Sequence, residues 1–197
     1  NNIINLMIIL STIIVIITLL FTTEIVKLFA SGFKGEILKI TVLFTKIFIF
    51  GIYFSGLIHI FTGFLQANNH FLTPALFGVS FNIVVILSIY LSSIYNKEII
   101  IIGTLIAKIS ELLIMTPYIR MKKYKYERII DLKDKNIKRM AVLALPLIIG
   151  VSVNQINILI DRTIASRIAI GGISALNYAN RLNGFVQGIF VLSIATV

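Results

Sequence analysis

Apolar residues dominate this chain in long blocks, and polar residues gather at a few short breaks between them. Residues 1–23 carry no charged side chain, and neither do residues 47–96. The second stretch is long enough for two membrane spans of about 20 residues with a turn between them. Six spans can be drawn on this pattern, near 2–22, 40–65, 75–95, 99–119, 141–166 and 173–196. The breaks carry turn chemistry: Ser31-Gly32 and Gly35 after the first span, Asn68-Asn69 to Pro74 after the second, and Gly171-Gly172 between the last two. Pro146 is expected near the start of the fifth span, where the first helical N–H groups lack partners in any case. The predicted fold class is all-α, a polytopic transmembrane helix bundle.

Composition supports that class and removes others. The chain is 58% hydrophobic and 13% charged with a mean hydropathy of +1.00, outside the range of ordinary soluble domains. A signal peptide explains neither uncharged stretch, because its single apolar core is only about 7–15 residues long. The chain starts at Asn1 without methionine and stops at Val197 inside an apolar run, so it reads as an excerpt of a longer protein. With no cysteine, disulfides, thiolate metal sites and a cysteine nucleophile are excluded.

The net charge of +10 is concentrated rather than spread. Nine basic residues lie between Arg120 and Arg139 (Arg120, Lys122, Lys123, Lys125, Arg128, Lys133, Lys135, Lys138 and Arg139), opposed by Glu127, Asp131 and Asp134. A basic loop between hydrophobic spans is the positive-inside signature, which places 120–139 in the cytoplasm. No aromatic-interleaved basic groove accompanies the charge, so no nucleic-acid partner is expected. Alternation then turns segments 23–39, 96–98 and 167–172 outward and the 66–74 turn inward. Four spans precede the loop and two follow it, as if it joined two lobes.

Polar residues inside the last two spans are the main functional signal. Asn154, Asn157 and Asp161 fall within about 60° of one another on a helix, with Gly150 extending the line. Ser174, Asn177, Arg181, Gly184 and Gly188 make a second line on the next span. The Gly-Gly hairpin makes the two helices antiparallel neighbours. At 1.5 Å per residue, Arg181 lies roughly 14 Å from an outer end near residue 172, close to the midplane and too deep to snorkel easily. Ionisable groups at that depth are costly and mark cargo or ion pathways. Arg181 therefore lines a cavity or pairs with an unseen carboxylate. Asp161, in the outer half, serves an ion or cargo or sits at the interface neutralised by Arg162 or Arg167.

Fainter candidates occupy the earlier spans. Ser55, His59, Thr62 and Gln66 share a face, and a lone histidine among them reads first as a packing element and second as a ligand. Lys46 is close enough to the outer end to snorkel or to meet cargo. Lys108 and Glu111 are three apart and can pair. Asn68, Phe71, Pro74 and Asn82 read as turn and packing elements.

The run Ala144-Leu145-Pro146, Gly150-Val151-Ser152, Asn154-Gln155-Ile156-Asn157 and Asp161-Arg162-Thr163-Ile164-Ala165-Ser166, followed by Gly172-Ile173-Ser174-Ala175-Leu176-Asn177-Tyr178-Ala179-Asn180-Arg181-Leu182, resembles the MurJ (MviN) family of bacterial lipid II flippases. That family belongs to the multidrug/oligosaccharidyl-lipid/polysaccharide exporter superfamily. Upstream, Gly63-Phe64-Leu65-Gln66-Ala67, Phe71, Pro74-Ala75 and Asn82 are similar to it as well.

The resemblance implies helices three to eight of about fourteen in a two-lobed transporter. Residues 1–121 would hold the last four helices of the N-terminal lobe, 122–139 the basic inter-lobe loop, and 140–197 the first two helices of the C-terminal lobe. It implies alternating access moving undecaprenyl-pyrophosphate-linked precursor to the outer leaflet of the bacterial cytoplasmic membrane for cell wall synthesis. The partners would be lipid II and membrane lipids, the working unit a monomer, and the function transport rather than catalysis.

By the same resemblance Arg181 matches a required cavity arginine, with Asn177 and Ser174 beside it as substrate-binding candidates. Asp161 matches the aspartate of a sodium site, with Asn157 beside it. Asn154, Arg162, Lys46 and His59 remain further candidates. Asn180 stands where other members carry aspartate. No organic cofactor is implied; a sodium ion and the membrane potential are the implied drivers.

Rival readings differ in chemistry. A polysaccharide-repeat flippase shares the pyrophosphate carrier. A cation-coupled drug exporter would line its cavity with acidic and aromatic groups, against which mid-span Arg181 counts. A polyprenyl-phosphate enzyme would need acidic magnesium ligands or a general base, and no paired Asp/Glu motif is present. A structural membrane protein would be indifferent to Arg181.

Overall fold

A computed structural model describes residues 1–121, 126–131, 133–168 and 171–186. Within them the secondary structure is helical: α1 (Asn2–Leu20), α2 (Thr22–Phe29), α3 (Gly35–Phe48), α4 (Gly51–Ala67), α5 (Leu72–Ile94), α6 (Ile99–Met121), α7 (Lys135–Ile168) and α8 (Gly172–Val186). Four of these, α1, α5, α6 and α7, are long and apolar enough to cross a membrane, and α3 with α4 makes a fifth span if the bent pair counts as one. Large side chains such as Leu10, Leu20, Ile86 and Leu147 are exposed. In lipid that costs nothing, and the α-helix answers its own backbone hydrogen bonds, which a bilayer cannot.

The structure departs from the expected organisation in several places. The span expected at 40–65 is not one helix: α3 and α4 meet at a 44° bend around Ile49–Phe50. There the Ile52 N–H reaches back only three residues, to the Ile49 carbonyl at 3.1 Å, and Gly51 follows. Such a tightened turn beside glycine is a recognised site of kinking. The first span ends at Leu20, within two residues of its expected end, where Phe21 leaves helical geometry (φ −112°, ψ 27°). The segment 23–39, expected to face outward, is largely helical, formed by α2 and the first turn of α3.

α7 begins at Lys135, inside the stretch expected as loop, and runs 34 residues. Pro146 is consequently well inside a helix rather than near its start, and the Val142 carbonyl loses its helical donor. Lys108 does not take Glu111 as its partner. Its amine donates to Ser55 Oγ on α4 at 2.5 Å and lies 5.9 Å from the centre of the Phe81 ring on α5. The inner part of the last expected span, including Gly188, lies outside the described residues, as do Lys122, Lys123 and Lys125 of the basic loop.

The described residues group into two compact units, 1–22 with 41–140 and 23–40 with 141–197. In the first, Leu65, Phe77, Met115 and Ile119 form the buried core with Phe61 against it, and Phe77 meets Tyr118 edge-on with centroids 5.4 Å apart. α5 and α6 pack so closely that a Cβ on Gly103 would collide with the Ser88 side chain. Small residues at a helix interface allow such approach within a membrane. Tyr53 donates to Thr12 at 3.0 Å, joining α4 to α1.

Two buried asparagines at the start of α1 fasten the segment 126–131. Asn2 donates to the Asp131 carbonyl at 2.7 Å and accepts from the Asp131 N–H at 3.0 Å. Asn5 donates to the Ile129 carbonyl at 2.8 Å and accepts the Tyr126 hydroxyl.

Candidate functional site

In the second unit the polar residues of α7 divide between two faces. Asn154 and Asn157, with Gly150 and Ile160, line an open concavity of 470 Å³. One turn on, Asp161 continues that line and is exposed. Arg162, one residue further round the helix, lies on a different face. It lines a 480 Å³ groove with Ser152, Gln155 and Phe29. The two asparagines thus share a surface, as their spacing predicted, while Arg162 is directed elsewhere.

α8 starts from a tight turn. Gly171 adopts φ +86°, and a Cβ on Gly172 would run into the Ala165 carbonyl, so only glycine at 172 lets α8 begin this close to α7. Ser174 lines a 170 Å³ concavity with Gly32, Phe33 and Ser166. Asn177 is half-buried, and Arg181 is exposed. Arg181 lines none of these concavities, and it is not ion-paired with Asp161. Arg167 is engaged by the Ser31 hydroxyl at 2.7 Å.

In the first unit Lys46 is exposed on α3 and His59 on α4. Of the α4 polar face, Ser55 is the member with a partner from another helix, Lys108.

A sodium ion prefers several oxygen ligands. Asp161 offers a carboxylate and Asn157 a neutral amide oxygen one turn earlier on the same face. No group of three histidine, cysteine or acidic side chains converges among the described residues. The fit is therefore partial: two oxygens from one helix, with the remaining ligands to come from water or other parts of the protein.

Sequence reasoning missed the contacts that tie distant segments together. Thr163, Ser166 and Arg167 engage the turn around Ser31 and Gly32. Ser31-Gly32 signalled a turn, but nothing local named its partner 134 residues away.

Long apolar helices with charged and amide groups kept among them define a polytopic, all-helical membrane protein. A model of the family described as lipid II flippase MurJ matches residues 1–197. The chain is 30% identical to the probable lipid II flippase MurJ of Buchnera aphidicola subsp. Baizongia pistaciae, over all of this chain and 39% of that relative. It is 45% identical to the Vibrio cholerae counterpart over 65 residues, 33% of this chain and 12% of the relative. A solved structure of lipid II flippase MurJ in an inward closed conformation superposes with a TM-score of 0.81 at 29% identity, covering 99% of this chain and 41% of that one. The chain belongs to the lipid II flippase MurJ family, and it spans about two fifths of the length of the Buchnera relative and of the solved structure.

Proposed function

We propose that the protein moves a polyprenyl-pyrophosphate-linked cell-wall precursor, lipid II, from the inner to the outer leaflet of the bacterial cytoplasmic membrane by alternating access. The observation that carries this reading is the match to the MurJ family along the entire chain; Arg181 on α8, in the last span the sequence predicts, supports it. Residues 1–121 and 140–197 belong to opposite lobes in this reading, with the basic loop between them in the cytoplasm.

Arg181 is the pyrophosphate-handling group. A guanidinium in a low-dielectric cavity binds phosphate oxygens through paired, charge-assisted hydrogen bonds, which offsets the cost of carrying the anion through the bilayer. Asn177 and Ser174 extend the same α8 line outward and offer neutral hydrogen-bonding groups to the cargo. Asp161 and Asn157 hold a sodium ion, and differential affinity for one state is what lets that ion bias the cycle. The membrane potential, about 2.3 kcal/mol per charge at 100 mV, favours return of the empty cationic carrier. The working unit is a monomer that transports without catalysing a reaction.

Arg181→Ala in the full-length protein is the test, in cells depleted of their lipid II flippase and at matched membrane levels. Lost rescue with lipid II retained in the inner leaflet is expected. Full rescue removes Arg181 from the mechanism, and failure of the unmutated protein points to another cargo such as a polysaccharide repeat on the same carrier.

A further inference from the structure

The end of α2 and the last turns of α7 are fastened by a set of interlocking hydrogen bonds. Thr163 Oγ1 shares its proton between the Leu159 carbonyl of its own helix at 2.9 Å and the Phe29 carbonyl at 3.0 Å. Ser166 Oγ accepts the Gly32 N–H at 3.1 Å while donating to the Thr163 carbonyl at 2.6 Å. Arg167 Nε donates to Ser31 Oγ at 2.7 Å. Gly32 has no room for a side chain, since a Cβ there would run into the Ser166 carbonyl. The 170 Å³ concavity beside this clasp reaches Ser174, the outermost member of the α8 polar line.

We infer that this clasp is the outer latch of the transport cycle, holding the cavity shut on the side opposite the basic loop and releasing when it opens outward. The inference rests on the alternating-access reading above, in which Phe29–Gly32 and Thr163–Arg167 come from opposite lobes; in this structure the two segments lie within one compact unit, 23–40 with 141–197, and the clasp is among the bonds that join its two parts. Its chemistry suits a latch. The bonds are few, they involve hydroxyls and one exposed guanidinium, and water at the outer surface can replace each of them once the segments part. A single intramolecular bond of this kind shifts a two-state equilibrium by roughly two- to tenfold. The three that cross between the segments together hold one state without making release prohibitive.

The test uses full-length protein in a cysteine-free background with one reporter, Asn177→Cys, reacted in intact cells with a membrane-impermeant maleimide. Combined Ser166→Ala and Arg167→Ala removes two of the three bonds between the segments, those to Gly32 and Ser31, with no added bulk. Gly32→Val wedges the segments apart. Both are expected to raise outside labelling at least about fivefold over the clasp-intact protein, consistent with loss of one to two bonds.

Unchanged labelling in the Ser166→Ala/Arg167→Ala protein, inserted at normal levels, overturns the latch even if Gly32→Val fails to insert. Rescue of flippase-depleted cells by the cysteine-free parent with Asn177 intact is scored separately. A parent that fails to rescue while the labelling still shifts removes the cargo reading and leaves the latch standing.

Discussion

Lys108 donates its ammonium to Ser55 across 2.5 Å, joining α6 to α4 at a depth of about 14 Å from the start of α6. The lysine stem passes the Gly51 backbone just beyond the α3–α4 bend, where a Cβ would stand 3.5 Å from its Cδ. The bond therefore braces the helix immediately after its kink.

The asymmetry of buried hydrogen bonds makes the first prediction. Ser55→Ala leaves an ammonium short of a partner inside the membrane and is expected to cost about 1–3 kcal/mol. Lys108→Met keeps the stem, removes the charge and leaves a hydroxyl that can bond its own helix, so it is expected to cost less. Thermal unfolding of the full-length protein in detergent ranks the two. The opposite order would mean that Ser55 is not the ammonium's main support.

Gly103 and Ser88 set the spacing of α5 and α6. Gly103→Ala forces the Ser88 side chain out of place and is expected to cost about 1–3 kcal/mol as overpacking. Ser88→Gly in the same protein vacates that volume and restores most of the loss, a coupling that a double-mutant cycle measures directly. Simple additivity of the two changes would refute the close approach.

The asparagine strap makes a third. Asn2→Ala removes both bonds to the Asp131 backbone, and Asn5→Ala removes the bond to Ile129. Local opening of 126–131 is expected to rise, with trypsin cleavage after Arg128 accelerated roughly tenfold. Cleavage at the unmutated rate would show that the strap does not hold this segment.

Two substitutions at the polar lines separate their roles. Arg181→Lys retains charge but not the planar fork, and partial rescue between that of arginine and alanine is expected. Asp161→Asn keeps the size and one carbonyl oxygen while removing the charge a sodium ion needs. Its expected signature is loss of sodium dependence of transport in proteoliposomes, with lipid II binding retained.

The helical, membrane-spanning class was legible in the sequence because it depends on local composition alone. Uncharged blocks near 1–23 and 47–96 have one stable form in lipid, and α1, α4 and α5 occupy them. The shared face of Asn154 and Asn157 was legible for the same reason, since helical periodicity places them without knowledge of the fold.

What escaped were departures caused by single hydrogen bonds and close contacts. The bend at Gly51 interrupts a helix that hydropathy draws as continuous, because a missing side chain hardly alters an apolar average. Pro146 was misplaced because the start of α7 was, and hydropathy says little about a helix that extends beyond the membrane among charged residues.

Sequence alone determined the membrane class, the candidate polar lines on α7 and α8, and the resemblance that the family comparison established. Only the tertiary structure decided that Lys108 turns to Ser55 rather than Glu111, that Arg162 leaves the Asn154–Asn157 face, and that Ser166 and Arg167 seize the turn at Ser31-Gly32. The physical reason is range. Hydrophobic burial and helical periodicity act over a few residues and leave a readable pattern, whereas a hydrogen bond between segments more than a hundred residues apart is specified by where the chain has brought them.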